Sequence, residues 1–277
     1  MRTFFLALIM LLCACCDSFA QVSDSLFIEQ SLAGAPADAG TLYFARRFLG
    51  HPYVAHTLEI NDVEALVVNT RQLDCTTLVE NVVALTFCHQ QGKRSFRDFR
   101  TMLQTLRYRQ GILDGYPSRL HYFTDWIVDK SEMGIVSEVQ MKESPFIALQ
   151  TVKLDYMSRH HKAYSSLKAH PGFIPVIAAQ EKALTGMTFR YIPKSEVKNT
   201  KLLRSVIKDG DILAITCSKA GLDIAHLGFA VWRKDGLHLL NASMIHHKVV
   251  EEPMTLRQYL YKHPSHTGIR VVRLKGK

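Results

Sequence analysis

The sequence predicts one α+β domain in which helices come first and a mainly antiparallel sheet follows. Apolar residues recur at helical spacing up to Tyr108, the period changes to two after Gly210, and Asp235-Gly236 marks a hairpin between two alternating stretches. Helices followed by adjacent strands fit a segregated α+β arrangement better than alternating βα units.

Residues 1–20 read as a targeting segment, with Arg2 as the charged end, Phe4 to Leu12 as the apolar run and Ser18-Phe19-Ala20 as a small-residue cleavage site. Export follows, to the periplasm or beyond, with a mature chain starting near Gln21. Leu12-Cys13-Ala14-Cys15 also resembles a lipoprotein signal, in which Cys15 would carry the lipid and form the only membrane anchor. Both readings stand. No later stretch reaches the ~20 continuous apolar residues of a membrane span. The net charge is +9 over 277 residues, and removing the leader takes one Arg and one Asp, leaving it unchanged. In an exported protein that charge favours a polyanion such as cell wall over nucleic acid.

Residues 21–50 form an expected helical extension: a polar stretch, an Ala/Gly-rich piece, and a helix over Thr41–Leu49 stopped by Gly50. The turn Gly50-His51-Pro52-Tyr53 follows, and Leu66–Val68 reads as a short strand. Asp74 is an N-cap. Leu78, Val82 and Leu85 then recur at i, i+4 and i+7, and Val79 and Val83 widen the apolar stripe of an amphipathic helix. Gly92-Lys93-Arg94 breaks the pattern before a second helix, Ser95–Tyr108, whose basic face reads as solvated surface. Residues 111–200 are the least regular, with Gly115-Tyr116-Pro117, His170-Pro171-Gly172 and Ile192-Pro193 separating short helical pieces. Strands are expected over Asp211–Thr216, Ala225–Trp232, Leu237–Ser243 and Ile269–Leu274.

Of six cysteines, three (Cys13, Cys15 and Cys16) belong to the leader, leaving Cys75, Cys88 and Cys217. An odd number in an exported chain means at least one unpaired thiol or an intermolecular bridge. Cys88 and Cys217 either pair or pack in the core. Cys75 falls in the first turn of its helix, where unpaired N–H groups and the helix dipole lower a thiol pKa to about 3.5–7.5. Taken alone, a cysteine beside a helical apolar run serves equally as a packing residue. Its partners decide.

In the strand Ile224–Trp232, Leu227, Phe229 and Val231 share one face, while His226, Gly228, Ala230 and Trp232 share the other. Gly228 and Ala230 leave room near His226 for a helix to approach. Any antiparallel register across the hairpin whose paired numbers sum to an odd total, including the two-residue turn, puts Asn241 on the face of His226. An asparagine oxygen accepting from imidazole Nδ1–H would leave Nε2 facing the thiol.

Three blocks resemble the NlpC/P60 cysteine peptidases of the papain-like superfamily. Gly50-His51-Pro52-Tyr53 resembles the upstream G-x-P-Y, and Asp74-Cys75-Thr76-Thr77-Leu78-Val79 resembles the D-C-[ST]-x-L-[VF] helix start. Gly210-Asp211-Ile212, His226-Leu227-Gly228-Phe229-Ala230-Val231 and Leu240-Asn241-Ala242-Ser243 resemble the strand motifs G-D-L, H-V-G-I-[YA]-[VL] and I-H-A-S. Asn241 stands where many relatives have histidine. Cys75 and His226 are 151 positions apart, more than in compact members, so residues of about 93–205 look like an insertion. Tyr116-Pro117-Ser118-Arg119-Leu120-His121-Tyr122-Phe123-Thr124-Asp125-Trp126 within it, with Asp74 to Asn81, resembles more closely an N-acetylmuramoyl-L-alanine amidase-like bacterial subfamily (DUF1460).

The resemblance implies a papain-like fold, its nucleophile helix packed on a mainly antiparallel sheet with a large helical insertion. It implies Cys75, His226 and Asn241 as the catalytic set, with Asp74 orienting and Tyr53 meeting the oxyanion beside the Cys75 N–H. Arg119, His121, Tyr122 and Trp126 are candidates for binding peptidoglycan or muropeptide fragments, since they offer cationic and aromatic contacts. The bond implied is the amide between N-acetylmuramic acid and L-alanine of the stem peptide. A γ-D-glutamyl-diamino acid endopeptidase and an inactive cell-wall-binding protein are the alternatives. No cofactor is expected. The chain has no H-E-x-x-H, and His263-x-x-His266, His160-His161 and His246-His247 lack a third ligand, so no metal is expected. G-x-S-x-G, P-loop and C-G-[SA]-C-[WY] signatures are also missing.

Overall fold

The computed structural model describes residues 22–276. The leader, with its cleavage and lipidation readings, lies outside the described residues.

Helix α1 spans residues 22–33 and α2 spans Thr41–Arg46, after which the chain turns and passes through Gly50 at φ 85°. Residues 50–53 run along the edge of a later strand, with Gly50 N–H donating to Val249 O and Tyr53 N–H to His247 O. Leu66–Val68 is extended loop rather than the expected strand; among the described residues no strand pairs with it, and Val67 O accepts instead from Arg107 Nη1 at 2.5 Å. Next come α3 (Cys75–Gln90), α4 (Phe96–Arg107) and α5 (Phe123–Glu132). Strands β1 (Val136–Val139) and β2 (Ala148–Thr151), helices α6 (Tyr156–Arg159), α7 (Ser165–Ala169) and α8 (Ile174–Leu184), and strand β3 (Thr188–Pro193) make up the irregular middle. After α9 (Lys201–Val206) come β4 (Ile212–Cys217), β5 (Ile224–Trp232), β6 (Leu237–Ser243) and β7 (Lys248–Glu251), then α10 (Leu256–Lys262) and β8 (His266–Leu274).

The strands form one sheet in the order β2-β3-β8-β4-β5-β6-β7, with β1 also on β8, and every ladder in it is antiparallel. The four strands expected near the C-terminus are present. Strands β1, β2, β3 and β7 were not expected: four are only four to six residues long, too short for an alternating period to stand out. The middle segment is therefore not purely helical. It supplies strands to the sheet's edge and packs α4 on α3.

Alternation sorts the sheet's two faces between two helical layers. Leu227, Phe229, Val231, Leu240 and Ala242 join the core formed with Leu78, Val79, Val82 and Leu85 of α3. Ala230, Leu237, Leu239, Leu213 and Ile269 face the other way, onto Leu203 of α9 and Leu256, Tyr259 and Leu260 of α10.

Helix α3 departs from its amphipathic reading because its polar side is covered too. Thr77, Glu80, Asn81 and Thr86 are all buried, and of their side-chain polar atoms Asn81 Oδ1 has no hydrogen-bond partner among the described residues. Asn81 Nδ2 donates to Thr77 O at 2.8 Å, Thr86 Oγ1 donates to Val82 O at 2.8 Å, and Glu80 meets the buried Arg107 of α4 at 2.7 Å. Such an ion pair is tolerated in a core only when both partners and their spare hydrogen-bond sites are matched. Most of the basic face of α4 is exposed, as expected, but Arg107 is not. Cys75, Cys88 and Cys217 are all free thiols, with Cys88 inside the core of α3.

Candidate active site

Asp74 caps α3 through a reciprocal box: its carboxylate accepts from Thr77 N–H at 2.8 Å, and its own N–H donates to Thr77 Oγ1 at 2.9 Å. Cys75 is thereby held in the first helical turn, with the Leu227 N–H of β5 directed at its sulfur.

The expectation of a low thiol pKa is overturned. Burial, followed by the charge of Asp74, pushes Cys75 up to about 12, against weaker help from the N–H groups of Leu227 and Cys75 and the Thr76 hydroxyl. The physical reason is one of magnitude. A helix N-terminus contributes about 0.3–1 kcal/mol, less than one pK unit, and the same turn that supplies it also supplies a full carboxylate charge.

His226 lies next to a β-bulge, for β4 pairs Ile215 with His226 and then Thr216 with Ile224. Bulges of this kind re-aim a side chain beside a site. Trp232 pairs with Leu237, so the hairpin loop has four residues rather than two. The register still sums to an odd total, and His226 and Asn241 share a face. His226 Nε2 lies 2.9 Å from Asn241 Oδ1. This reverses the expected ring assignment, because Nε2 is the nitrogen engaged by Asn241 and Nδ1 the one left over. The buried Asn241 also donates from Nδ2 to Glu252 Oε1 at 3.2 Å.

The expected role of Gly228 is corrected as well. A Cβ there would stand 2.6 Å from Leu240 O and 2.7 Å from Leu239 Cδ1, so the glycine admits β6, not a helix. Helix α3 packs on the opposite face, against Leu227, Phe229 and Val231. Burial holds the His226 pKa below its ordinary value, while the Asn241 bond and the nearby Glu252 charge pull the other way. On its far side His226 stacks on Tyr259 of α10, at 6.3 Å between ring centroids.

Cys75 and His226 line one cavity of about 230 Å³. His121, Tyr122, Tyr116, Tyr164 and Glu59 line its other walls. Tyr53 sits close enough to Cys75 and Asp74 that their charges, after burial, raise its phenol pKa. Its hydroxyl has no hydrogen-bond partner among the described residues, which leaves a donor free beside the thiol.

The expected substrate-binding set divides. His121 lines the cavity, donates from Nε2 to Tyr116 O at 3.0 Å, and is driven down to about 3 by burial and by Arg119, so it is neutral at physiological pH. Tyr122 lines it too, but its hydroxyl is committed to Glu181 at 2.6 Å. Arg119 is withdrawn from the thiol: Glu64 grips its guanidinium through both oxygens, and it lines a neighbouring cavity of about 140 Å³ that shares Glu59 and Tyr116 with the first. Trp126 is a core residue, 1 % exposed and stacked on Phe123 at 4.9 Å, and it reaches neither cavity. Sequence spacing cannot separate these cases, since an aromatic at helical spacing is equally a core or a wall residue.

Glu252, Glu59 and Tyr164 escaped the sequence reading. For Glu252 a signal existed only in hindsight of the register: Asn241 pairs with Val250, so Glu252, two positions on, returns to the same face.

A thiol at a helix start, an imidazole held by an amide and a lining of tyrosines define a class of site suited to acyl transfer. The chain belongs to the AmiA-like family, described as N-acetylmuramoyl-L-alanine amidase-like, whose model matches residues 43–269. An N-acetylmuramoyl-L-alanine amidase from Bacteroides uniformis is 40% identical, with TM-score 0.79 over 85% of this chain and 97% of its own. A Bacteroides fragilis protein provisionally described as a xylanase is 42% identical, with TM-score 0.78 over 84% of this chain and 99% of its own. A Legionella pneumophila protein of the DUF1460 model, 22% identical with TM-score 0.69 over 94% of this chain and 96% of its own, shares the fold. Comparison with curated proteins gives no match.

Proposed function

We propose that this protein is a thiol amidase that cleaves the bond between N-acetylmuramic acid and L-alanine of the stem peptide, with Cys75, His226 and Asn241 as its catalytic set. The observation that carries the reading is the 2.9 Å contact between His226 Nε2 and Asn241 Oδ1, which leaves Nδ1 without a hydrogen-bond partner among the described residues on a histidine that lines the same cavity as Cys75. The names of the family and of its Bacteroides uniformis member support the choice of bond. The Cys-helix, His-strand and polar third residue support placing the fold with the papain-like NlpC/P60 peptidases, and the leader supports an exported enzyme acting on peptidoglycan or its fragments.

Burial and the Asp74 charge favour the protonated form of Cys75, so its proton has to be taken by a base. His226 Nδ1 takes the Cys75 proton as sulfur adds to the amide carbonyl carbon. The tetrahedral oxyanion is met by the Cys75 N–H and the Tyr53 hydroxyl. The imidazolium then gives its proton to the departing alanine nitrogen, releasing the stem peptide and leaving the muramoyl group on sulfur as a thioester. Water, giving a proton to Nδ1, hydrolyses that thioester to the free carboxylate and restores the thiol. Asp74 orients the helix turn that carries the sulfur, while His121 and Tyr122 shape the cavity wall.

Glycoside hydrolysis, as the description of one relative would have it, works through a pair of carboxyl groups flanking the bond; the two carboxylates of this cavity each hold a structural partner, Asp223 accepting from Thr124 N–H at 2.7 Å and Glu59 from Ser165 Oγ at 2.6 Å. The test is to incubate the protein with muropeptides and identify products by mass spectrometry. Free stem peptide supports the amidase, a dipeptide shifts the assignment to the endopeptidase, and Cys75→Ala with undiminished turnover refutes the mechanism.

A further inference from the structure

We propose that Glu252 is a positioning residue that fixes the orientation of the Asn241 amide and, through it, which nitrogen of His226 carries the proton. The proposal rests on the catalytic reading of His226 and Asn241, and nothing in the family's description assigns Glu252 a part.

The argument is an inventory of donors and acceptors. An asparagine amide has one acceptor end and one donor end, and the two are alike in shape, so only its surroundings choose the orientation. Asn241 is fully buried between His226 and Glu252. A carboxylate accepts and never donates while ionised, so Oε1 at 3.2 Å must face Nδ2. Leu239 O, a second acceptor on that side at 3.5 Å, asks for the same orientation. Oδ1 is thereby turned to His226, and an acceptor 2.9 Å from Nε2 demands the Nε2–H tautomer. The bare lone pair falls on Nδ1, the nitrogen required as base.

The flipped amide would set Oδ1 against Glu252 Oε1 with no proton between them, both groups being buried. It would also donate Nδ2–H to Nε2, moving the imidazole proton to Nδ1 and blocking proton transfer from the thiol. Glu252 prevents this from a site that is itself fixed. Its N–H donates to Leu239 O at 2.8 Å, its carbonyl meets His238 Nδ1 at 2.9 Å, and its second carboxylate oxygen meets His246 Nε2 at 3.1 Å. The carboxylate is 1 % exposed and pairs with no Lys or Arg among the described residues, so the groups facing it are Asn241, His246 and, further off, His226 and Tyr259. A buried carboxylate costs stability unless it is matched, and here its matching ties it to the site.

The test reads the tautomer and the rate separately. Imidazole ¹⁵N spectra of the wild-type protein should show His226 protonated at Nε2, and Glu252→Leu should show a mixture of both tautomers. In muropeptide hydrolysis, Glu252→Leu should lower kcat on the order of ten- to a hundredfold with KM within about twofold, the loss expected for one charge-assisted hydrogen bond acting on the transition state. Glu252→Gln, which still turns an oxygen to Asn241, should recover most of that loss. In an Asn241→Ala background Glu252→Leu should cost nothing further. Wild-type His226 protonated at Nδ1 overturns the proposal without any variant, as does a Glu252→Leu protein that keeps a single Nε2–H tautomer, or one whose rate loss adds to that of Asn241→Ala. Failure of the hydrolysis assay alone would remove the amidase reading and leave the tautomer result to judge Glu252.

Discussion

Replacing Asp74 by asparagine separates its two effects on Cys75. As a cap, Asn is the equal of Asp, and its oxygen can still accept the Thr77 N–H now held at 2.8 Å. As a charge, Asp74 is the second cause, after burial, of the rise of the thiol pKa from 9.0 to about 12. A like charge within one turn is worth about one to two pK units at a partly buried site, and the burial contribution stays. At pH 8 the thiolate fraction should therefore rise about ten- to a hundredfold. Intrinsic nucleophilicity falls by about threefold for each unit of pKa lost, so the net gain is about three- to tenfold. The assay is alkylation by iodoacetamide at pH 8, followed at the Cys75 peptide by mass spectrometry, which keeps it distinct from Cys88 and the half-buried Cys217. Thermal unfolding should change little, the loss of charge at the helix start costing about 0.3–1 kcal/mol. Asp74→Ala makes the control, with the same electrostatic change but a lost cap worth about 1 kcal/mol. An Asp74→Asn protein with an intact thermal transition and alkylation at or below the wild-type rate would refute the assignment of the raised pKa to this carboxylate.

Two further outcomes follow from other buried charges. His121 and His266 are held at about 3 and about 4, below their ordinary value of 6.5, both chiefly by burial and then by neighbours: Arg119 beside His121, and His263, His226 and Lys194 beside His266. The unfolded chain takes up protons below 6.5 that the native chain refuses, so stability should fall as pH drops from 6.5 toward 4 and 3, by up to about 1.4 kcal/mol per pH unit for each histidine. His121→Gln, which can still donate to Tyr116 O, should flatten that slope in urea titrations, and an unchanged slope would exclude His121 as its source. Arg107→Met should cost about 3–5 kcal/mol in the same assay because it strands Glu80 in the core, and the double variant Glu80→Leu with Arg107→Met should recover most of it. A single variant as stable as wild type would show that α4 is not locked to α3 through this pair.

Much of the fold was legible because its signals are local. The cap at Asp74 and the four C-terminal strands each depend on residues within a few positions of one another. The shared face of His226 and Asn241 was legible too, since parity survives a change of loop length: the hairpin proved four residues long instead of two and the two side chains still met. The middle segment was not legible as part of the sheet. Strands of four to six residues carry little period of their own; β1 and β3 take their pairing from β8, more than 70 positions away, and β2 takes its pairing from β3.

By itself the sequence determined where Cys75 stands in its helix, which strand carries His226 and which side of that strand Asn241 reaches. Those follow from a helical period of 3.6, a strand period of two and the chemistry of caps and turns, all of which act along the chain. Tertiary structure decided the rest. It buried the polar side of α3, raised the Cys75 thiol instead of lowering it, withdrew Arg119 and Trp126 from the cavity, and set Asn241 between Nε2 of His226 and the carboxylate of Glu252. Each of these depends on which groups surround a side chain in space, and desolvation and the pairing of buried donors with acceptors are set by those neighbours, however far off in sequence they lie.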